Sequence, residues 1–459
     1  MTCEDQAMKK PCESKLGGAA LLMLYVLTAM PAMAALSGQE RKIVAAIDAE
    51  QPWAVDFLEQ LVNINSGTRN LPGVTRIGAL LRPQFESLGF AVVWVPMADA
   101  ERAGHLIATH RGRSGAKRLL LIGHLDTVFE PDSPFQTFAR KGALASGPGA
   151  GDDKGGVVVM LAALRAMRTA GTLRDANIEV VLTGDEENAG TPIGISRRDL
   201  VAAGKRADVA LDFEGLIVLD GQDMGSISRR SAGSYVITAH GVTAHSSEIF
   251  NPAVGDGAVF ELARIISAFR AELPEANLTF NIGVMAGGAR AEFNADATGA
   301  SAAGKTNIIP GVAMANGDIR ALTVDQEARV RQKMQAIVAR HAPRTTAEIV
   351  FGESYPPMAP TAGNRAVLTR LNAINADLGM PPMPELDPLR RGGGDISFVA
   401  QDVDGFAGLG PASSGDHTPD EVVDLRSMNR QGKRAALLMS RLSRESASST
   451  VPSGATASH

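Results

Sequence analysis

The chain of 459 residues has two cysteines, Cys3 and Cys12, and both precede a short apolar run at residues 19–29. If the chain is processed behind that run, no cysteine is left in it. An exported protein without cysteine holds its fold without disulfides, and any metal it binds must be held by His, Asp and Glu. Cysteine-based structural zinc sites are thereby excluded. An excess of one charge is lacking as well: 45 Lys and Arg stand against 50 Asp and Glu, a net charge of -5. That balance gives no electrostatic footing for nucleic acid or a membrane surface. Long apolar runs are also missing. The stretch at residues 19–29 is short for a bilayer span, and no later segment supplies one.

What is present at the start reads as an address. Lys9, Lys10 and Lys15 precede the apolar run, and Pro31-Ala32-Met33-Ala34 follows it. A basic head, a short apolar core and an A-x-A site describe a secretory signal peptide, residues 1–34, cut after Ala34. The expected location is therefore periplasmic or secreted, with a retained N-terminal anchor as the alternative. The rest, 45% apolar across the whole chain, is long enough for two domains with separate cores.

Helical spacing of apolar residues marks residues 39–62 and 75–88, followed by β-rich runs at 91–95, 106–110 and 119–122. A strongly apolar helix is expected at 155–169, then strands at 178–182 and 209–211 with helical material between them. Strands alternating with helices predict an α/β core with a mainly parallel sheet flanked by helices. Beyond Gly221 the texture changes. Residues 227–241, 278–285, 307–319 and 347–351 read as strands, with amphipathic helices at 254–269 and 324–341. This predicts an inserted α+β sandwich at 222–354, dividing a catalytic domain of residues 39–221 and 355–445. A helix at 365–378, a strand at 405–409 and a helix at 424–442 complete that domain, and the Ser-, Ala- and Thr-rich residues 446–459 read as a disordered tail.

The chemistry gathers at strand ends. Glu186 and Glu187 close the apolar run 178–182, and two adjacent carboxylates there are costly unless a cation receives them. His124 and Asp126 end another run at i and i+2, facing the same way. Either they form a ligand with its orienting carboxylate or a capped structural pair. Asp152 and Asp153 follow a glycine-rich turn into a helix. The Walker spacing is absent, the pair would repel an anion, and N-capping accounts for one carboxylate only. Glu214 and His417 each follow a further strand. An exposed acidic loop would explain any one of these alone. Their convergence at the carboxyl edge of one parallel sheet favours a two-metal hydrolytic centre, in which a carboxylate held off the metal handles the proton.

These motifs resemble the zinc-dependent exopeptidase and deacylase family of glutamate carboxypeptidase, aminoacylase, acetylornithine deacetylase and succinyl-diaminopimelate desuccinylase. The resemblance covers roughly residues 43–442. It rests on Gly123-His124-Leu125-Asp126-Thr127, Gly149-Ala150-Gly151-Asp152-Asp153-Lys154-Gly155-Gly156, Asp185-Glu186-Glu187, Phe213-Glu214 and Asp416-His417. The run Gly147-Pro148-Gly149, the Asp152-Asp153 pair and Glu214 look most like the secreted glutamate carboxypeptidase branch. The resemblance implies two zinc ions per subunit, with cobalt or manganese also suited to the ligand set. Asp152 would bridge them, His124 and Glu214 would complete one site, and Glu187 and His417 the other. It makes Glu186 the general base, Asp126 the orienting group, and the Asp152-Asp153 peptide cis. It further implies that His245 reaches the neighbouring subunit's active site from the inserted domain of a homodimer. Asn307 and Arg320 would hold the substrate carboxylate, beside a substrate loop at Gly392-Gly393-Gly394.

Two departures bear on specificity. Where the glutamate carboxypeptidase branch commonly carries arginine, this chain reads Phe351-Gly352-Glu353-Ser354-Tyr355, and Asp395 follows Gly394 with no hydroxyl residue between them. The sequence thus predicts an exported dizinc exopeptidase that releases a C-terminal amino acid, glutamate first among candidates, from a small peptidyl or N-acyl substrate. A dipeptidase or N-acyl-amino-acid deacylase with the same centre is the enzymatic alternative. A periplasmic solute-binding protein is the non-enzymatic one.

Overall fold

A computed structural model describes residues 36–295 and 297–447; the expected signal peptide and the expected tail beyond Ala447 lie outside the described residues. The first layer opens with α1 (Gly38–Val62) and α2 (Leu71–Ser87), then β1 (Ala91–Met97), β2 (Arg102–His110) and β3 (Arg118–His124). Two short strands, β4 (Ala139–Lys141) and β5 (Leu144–Ser146), precede α3 (Lys154–Thr169). Next come β6 (Asn177–Thr183), α4 (Ile193–Ser196), α5 (Arg198–Gly204), β7 (Val209–Asp212) and the small pair β8 (Val218–Leu219) and β9 (Gln222–Asp223). The second layer contains β10 (Gly233–Gly241), α6 (Ala258–Glu272), β11 (Thr279–Gly288), the hairpin β12 (Arg290–Phe293) and β13 (Ala300–Ala303), β14 (Val312–Arg320), α7 (Val324–Val338) and β15 (Thr345–Phe351). The chain returns through α8 (Ala362–Asp377), β16 (Gly405–Phe406), β17 (Ser413–Ser414), β18 (Val422–Asp424) and α9 (Leu425–Leu442).

The main sheet has the order β1-β2-β6-β3-β7-β16. Its β6, β3, β7 and β16 run parallel, and β1 and β2 add an antiparallel edge. The α/β fold class read from the sequence is therefore the observed one. Alternation on β3 shows why this strand is central: Leu119 and Leu121 join the core beneath α1, α3 and α9, while Leu120 and Ile122 join the core on the opposite face. A strand apolar on both faces must be covered on both. Helix α3 is buried along almost its whole length, and each Leu or Met sealed there stabilises the fold by about 1.5–3 kcal/mol. Helix α1 starts cleanly because Ser37 and Glu40 form a reciprocal capping box.

In the second layer β11-β14-β10-β15 form an antiparallel sheet with one buried face. Tyr235, Ile237 and Ala239 of β10 point at Ile265 and Phe269 of α6 and at Val330 and Met334 of α7. The opposite face leaves Met285 and Val350 about 60% exposed. Two expected strands begin later than their alternation suggests. Residues 227–232 pair with the returning connection through bridges at Arg229–Met358 and Ala232–Tyr355. Residues 307–311 carry Pro310 and Gly311, and β14 starts only at Val312.

A third sheet, β17-β18-β5-β4, was not visible in the sequence. Its strands are two or three residues long, too short to show periodicity. It nevertheless positions two loops that matter: 147–153 after β5, and 415–421 between β17 and β18. At the seam between α3 and β7, a Cβ on Gly156 would lie 2.0 Å from Phe213 O and from an Asp153 carboxylate oxygen. Gly156→Ala should therefore cost about 1–3 kcal/mol through overpacking. The check is a lower urea midpoint at unchanged m; an unaltered midpoint would refute the close approach.

Candidate metal centre

Parallel strands deliver their carboxyl ends to one edge, and the motif residues lie there. His124 is the last residue of β3 and pairs in register with Thr183 at the end of β6, just before Asp185-Glu186-Glu187. Glu214 follows β7, which pairs with β16. The short third sheet brings in Asp152 and His417 from its two loops. The Asp152–Asp153 peptide is cis, as expected, and His417 has a left-handed φ of 65°.

The Asp152 carboxylate stands between two imidazoles. One oxygen is 2.9 Å from His124 Nε2 and the other 3.1 Å from His417 Nε2. His417 Nε2 is also 3.1 Å from Glu187 Oε2, and His124 Nε2 is 4.0 Å from Glu214 Oε1. His124, Asp152 and Glu187 offer atoms within 4.8 Å of one another, as do His124, Glu186 and Glu214. All five expected ligands thus meet, and Glu186 meets them too. The set of imidazole nitrogens and carboxylate oxygens suits zinc, cobalt or manganese. Buried carboxylates at this density also call for a cation.

Asp126 does more than orient an imidazole. His124 Nδ1 lies 3.1 Å from the Asp126 carbonyl and 3.4 Å from its carboxylate. That carboxylate accepts hydrogen bonds from Thr68 Oγ1 at 2.6 Å, Glu186 N at 3.0 Å and Glu187 N at 3.1 Å. One buried side chain therefore sets both the ring and the acidic turn. Glu421 plays the same part on the other side: its carboxylate takes N–H bonds from Gly149, Gly151 and Asp152. It ties the loop of His417 to the loop of Asp152. Nothing local in the sequence separates Glu421 from its acidic neighbours Asp416 and Asp420.

Cations form an outer ring that sequence reasoning also missed. Arg229 and Arg391 each place a guanidinium nitrogen 3.3 Å from Glu214 Oε2, and Arg229 also reaches Asp212 at 3.3 Å. Arg197, 1% exposed, pairs with Asp185 at 2.6 Å and Asp395 at 2.8 Å. Asp395, expected beside the substrate loop, also accepts from Thr183 Oγ1 and lies beneath the acidic turn. These partners are distant in sequence, and folding alone brings them together.

The expected substrate groups divide into two places. Gly393 O accepts from Arg229 Nη2 at 2.6 Å, and Arg320 borders the same loop, where a Cβ on Gly392 would be 2.7 Å from its Nη1. Arg320 Nε also donates to Asp318. His245 and Asn307 stand together elsewhere: His245 bridges Ile308, and Ser246 N donates to Asn307 O at 2.9 Å. None of their described contacts touches the carboxylate cluster. Ser247 meets His245 Nδ1 twice, through its backbone N at 3.2 Å and its Oγ at 2.8 Å.

Burial pushes the Glu186 carboxyl well up, and Glu214 and Glu187 add to it. Burial, then Asp152, pushes Glu187 up to about 7. Hydrogen bonds to Asp152 and Glu187 carry His417 to about 11. Burial opposes a charge on His124, yet its bonds to Asp126 and Asp152 carry it well above its usual value.

The profile of Peptidase family M20/M25/M40 matches residues 120–441, well over half of the chain. The chain is 28% identical over 426 residues to carboxypeptidase G2 of Pseudomonas sp. strain RS-16, spanning 90% of this chain and 95% of that protein. It is 28% identical over 397 residues to a succinyl-diaminopimelate desuccinylase of Novosphingobium aromaticivorans, spanning 83% and 97%. A tripeptidase from Staphylococcus aureus shares the fold with a TM-score of 0.65 at 19% identity, over 86% of this chain and 99% of that one.

A metal ligand must shed its proton, and His417 without metal keeps one until about pH 11. Zinc binding to chelator-stripped protein should therefore release at least about one proton at pH 7 and tighten as pH rises from 6 to 8. Calorimetry in buffers of different ionisation enthalpy reads this directly. Heats independent of the buffer would contradict the protonated cluster.

Proposed function

The chain belongs to peptidase family M20/M25/M40 and is a hydrolytic enzyme of the metallopeptidase and amidohydrolase type, and from that premise we propose that it is an exported dizinc exopeptidase. Its reaction is hydrolysis of an amide bond to release a C-terminal amino acid from a small peptidyl or N-acyl substrate. The observation that carries the reading is Asp152, whose two carboxylate oxygens face two different histidines. In this reading His124 and Glu214 would hold one ion, His417 and Glu187 the other, and Asp152 would serve both. When bound, such a pair polarises the scissile carbonyl and acidifies the attacking water.

The protein's own groups handle the proton. Glu186, pushed up by burial, takes a proton from the attacking water and passes it to the leaving nitrogen as the C–N bond breaks. Asp126 keeps the turn that carries this base in place. Arg320, beside the 392–394 loop, is suited to a carboxylate through two hydrogen bonds. His245 Nε2–H would donate to the developing oxyanion of a neighbouring subunit, which makes the working unit a homodimer joined through the second layer. Export rests on the basic head, short apolar core and Ala32-Met33-Ala34 of the N-terminus.

The second reading, a dipeptidase or N-acyl-amino-acid deacylase, draws on residues 351–355. Tyr355 donates to Glu186 O and Glu353 accepts from Ile193 N. No guanidinium from this stretch is offered to a glutamate side chain. The name of the desuccinylase relative points the same way.

Folyl-glutamate, N-acyl amino acids and dipeptides, tested with and without chelator, should reveal one preferred class whose turnover chelation abolishes. Glu186→Gln should retain both metals and lose at least about 100-fold in kcat, the scale of general-base catalysis. Near-normal turnover in that variant would end the assignment. Mixing His245→Ala with Glu186→Gln subunits should restore partial activity; an inactive mixture that still forms dimers would exclude catalysis across subunits.

A further inference from the structure

The Glu186–Glu187 peptide is held at both ends. Its N–H, on Glu187, donates to Asp126 Oδ2 at 3.1 Å. Its C=O, on Glu186, accepts from the Tyr355 hydroxyl at 2.5 Å. A phenol has one proton and a carbonyl can only accept, so that proton is committed to Glu186 O. The hydroxyl's lone pair then receives Arg197 Nη2–H at 2.8 Å. Arg197 is fixed in turn by Asp185 Oδ1 at 2.6 Å, Asp185 O at 3.0 Å and Asp395 Oδ1 at 2.8 Å. The result is a polarised relay from a buried guanidinium through a phenol to the peptide of the general base.

Tyr355 does not come from the sheet edge that carries the other site residues. It belongs to the connection returning from β15, whose backbone pairs with the outgoing connection at Ala232, with N–H···O distances of 3.0 Å in both directions. The same connection is tied to the chain beyond the acidic turn as well, where Ile193 N, at the start of α4, donates to both Glu353 oxygens at 3.0 and 3.1 Å. The Tyr355 ring packs edge-on against Phe398 at 4.9 Å, and this contact limits the directions its hydroxyl can take.

We infer that Tyr355 is a positioning residue for the reaction: its hydroxyl, backed by Arg197, fixes the Glu186 peptide so that the carboxylate meets the attacking water in one orientation. The inference rests on the reading of Glu186 as general base. It assigns to the stretch that lacks the expected arginine a task in turnover instead of substrate recognition. It also makes the base sensitive to the connection between the two layers, since a shift of that connection moves the hydroxyl.

The test uses the full-length, zinc-loaded enzyme and its best substrate from the panel. Tyr355→Phe keeps the ring and removes only the donor. It should lower kcat about tenfold, leave KM within about twofold, and retain both metals and the melting temperature. In a Glu186→Asp background the same change should cost less than about twofold more, because both act on one carboxylate. Unchanged kcat overturns the inference. So does a loss that tracks metal content or multiplies fully in the Glu186→Asp background. If Tyr355→Phe does not fold, the exposed Glu353→Ala decides: a kcat drop of about threefold supports the strap, and none overturns it. Should Glu186→Gln stay active, the general-base reading itself falls; should it be inactive while Tyr355→Phe is normal, only the positioning role falls.

Discussion

Negative charge buried at one sheet edge is the constraint on which this structure turns. Asp126, Asp153, Asp185, Asp212 and Asp395 are each 2% exposed or less, and Glu214 and Glu421 are buried beside them. In an interior of low polarity such a group is tolerable only if every charge is neutralised, paired or multiply hydrogen-bonded. The fold divides the work by radius. Near the centre, Asp152, Glu187, His124 and His417 lie close enough to share cations. Farther out, Arg197, Arg229 and Arg391 hold Asp185, Asp395, Asp212 and Glu214. Between them, backbone N–H groups satisfy Asp126 and Glu421.

This division explains why adjacent residues do unlike work. Asp185, Glu186 and Glu187 are consecutive, yet Asp185 pairs with Arg197, Glu187 with His417, and Glu186 with neither. Burial pushes Glu186 well up with no salt-bridge partner among the described residues to oppose it, whereas His417 works against the same burial at Glu187, and a base that must accept and return a proton needs the former setting. Asp152 and Asp153 separate in the same way. Asp152 is held well below its usual range by its two histidines, although burial opposes this. Asp153 is pushed well up by burial and takes the backbone N–H of His124. The same residue type thus meets opposite electrostatic settings one peptide apart.

How much of this was legible follows from range. Period and strand ends are local, so the parallel core, the five expected ligands and the position of Glu186 could be read from the chain, and the structure brings those residues together. Asp126 was legible as a partner of His124, but its grip on the Glu186–Glu187 turn was not, because that contact spans about sixty residues. The third sheet left no signal since its strands are two or three residues long. Arg197, Arg229, Arg391 and Glu421 left none either. Their roles depend wholly on partners far along the chain, and an isolated arginine or glutamate looks like any solvated one.

The returning connection shows how such a site can depend on parts outside it. Asp126 and Tyr355 hold opposite ends of one peptide, the first from the main sheet and the second from the strap out of the antiparallel layer. A peptide pinned from one side could still rotate about its neighbours, and the carboxylate of Glu186 would sample several directions. Pinned from both, the chain leaves only side-chain rotation to settle. Orientation of a reacting group is worth orders of magnitude in rate, so the second pin has a reason to be there. The strap is also one of two paired connections between the layers, and any hinge between them must pass through it. Here Tyr355 ties the base to the layer that carries His245 and Asn307.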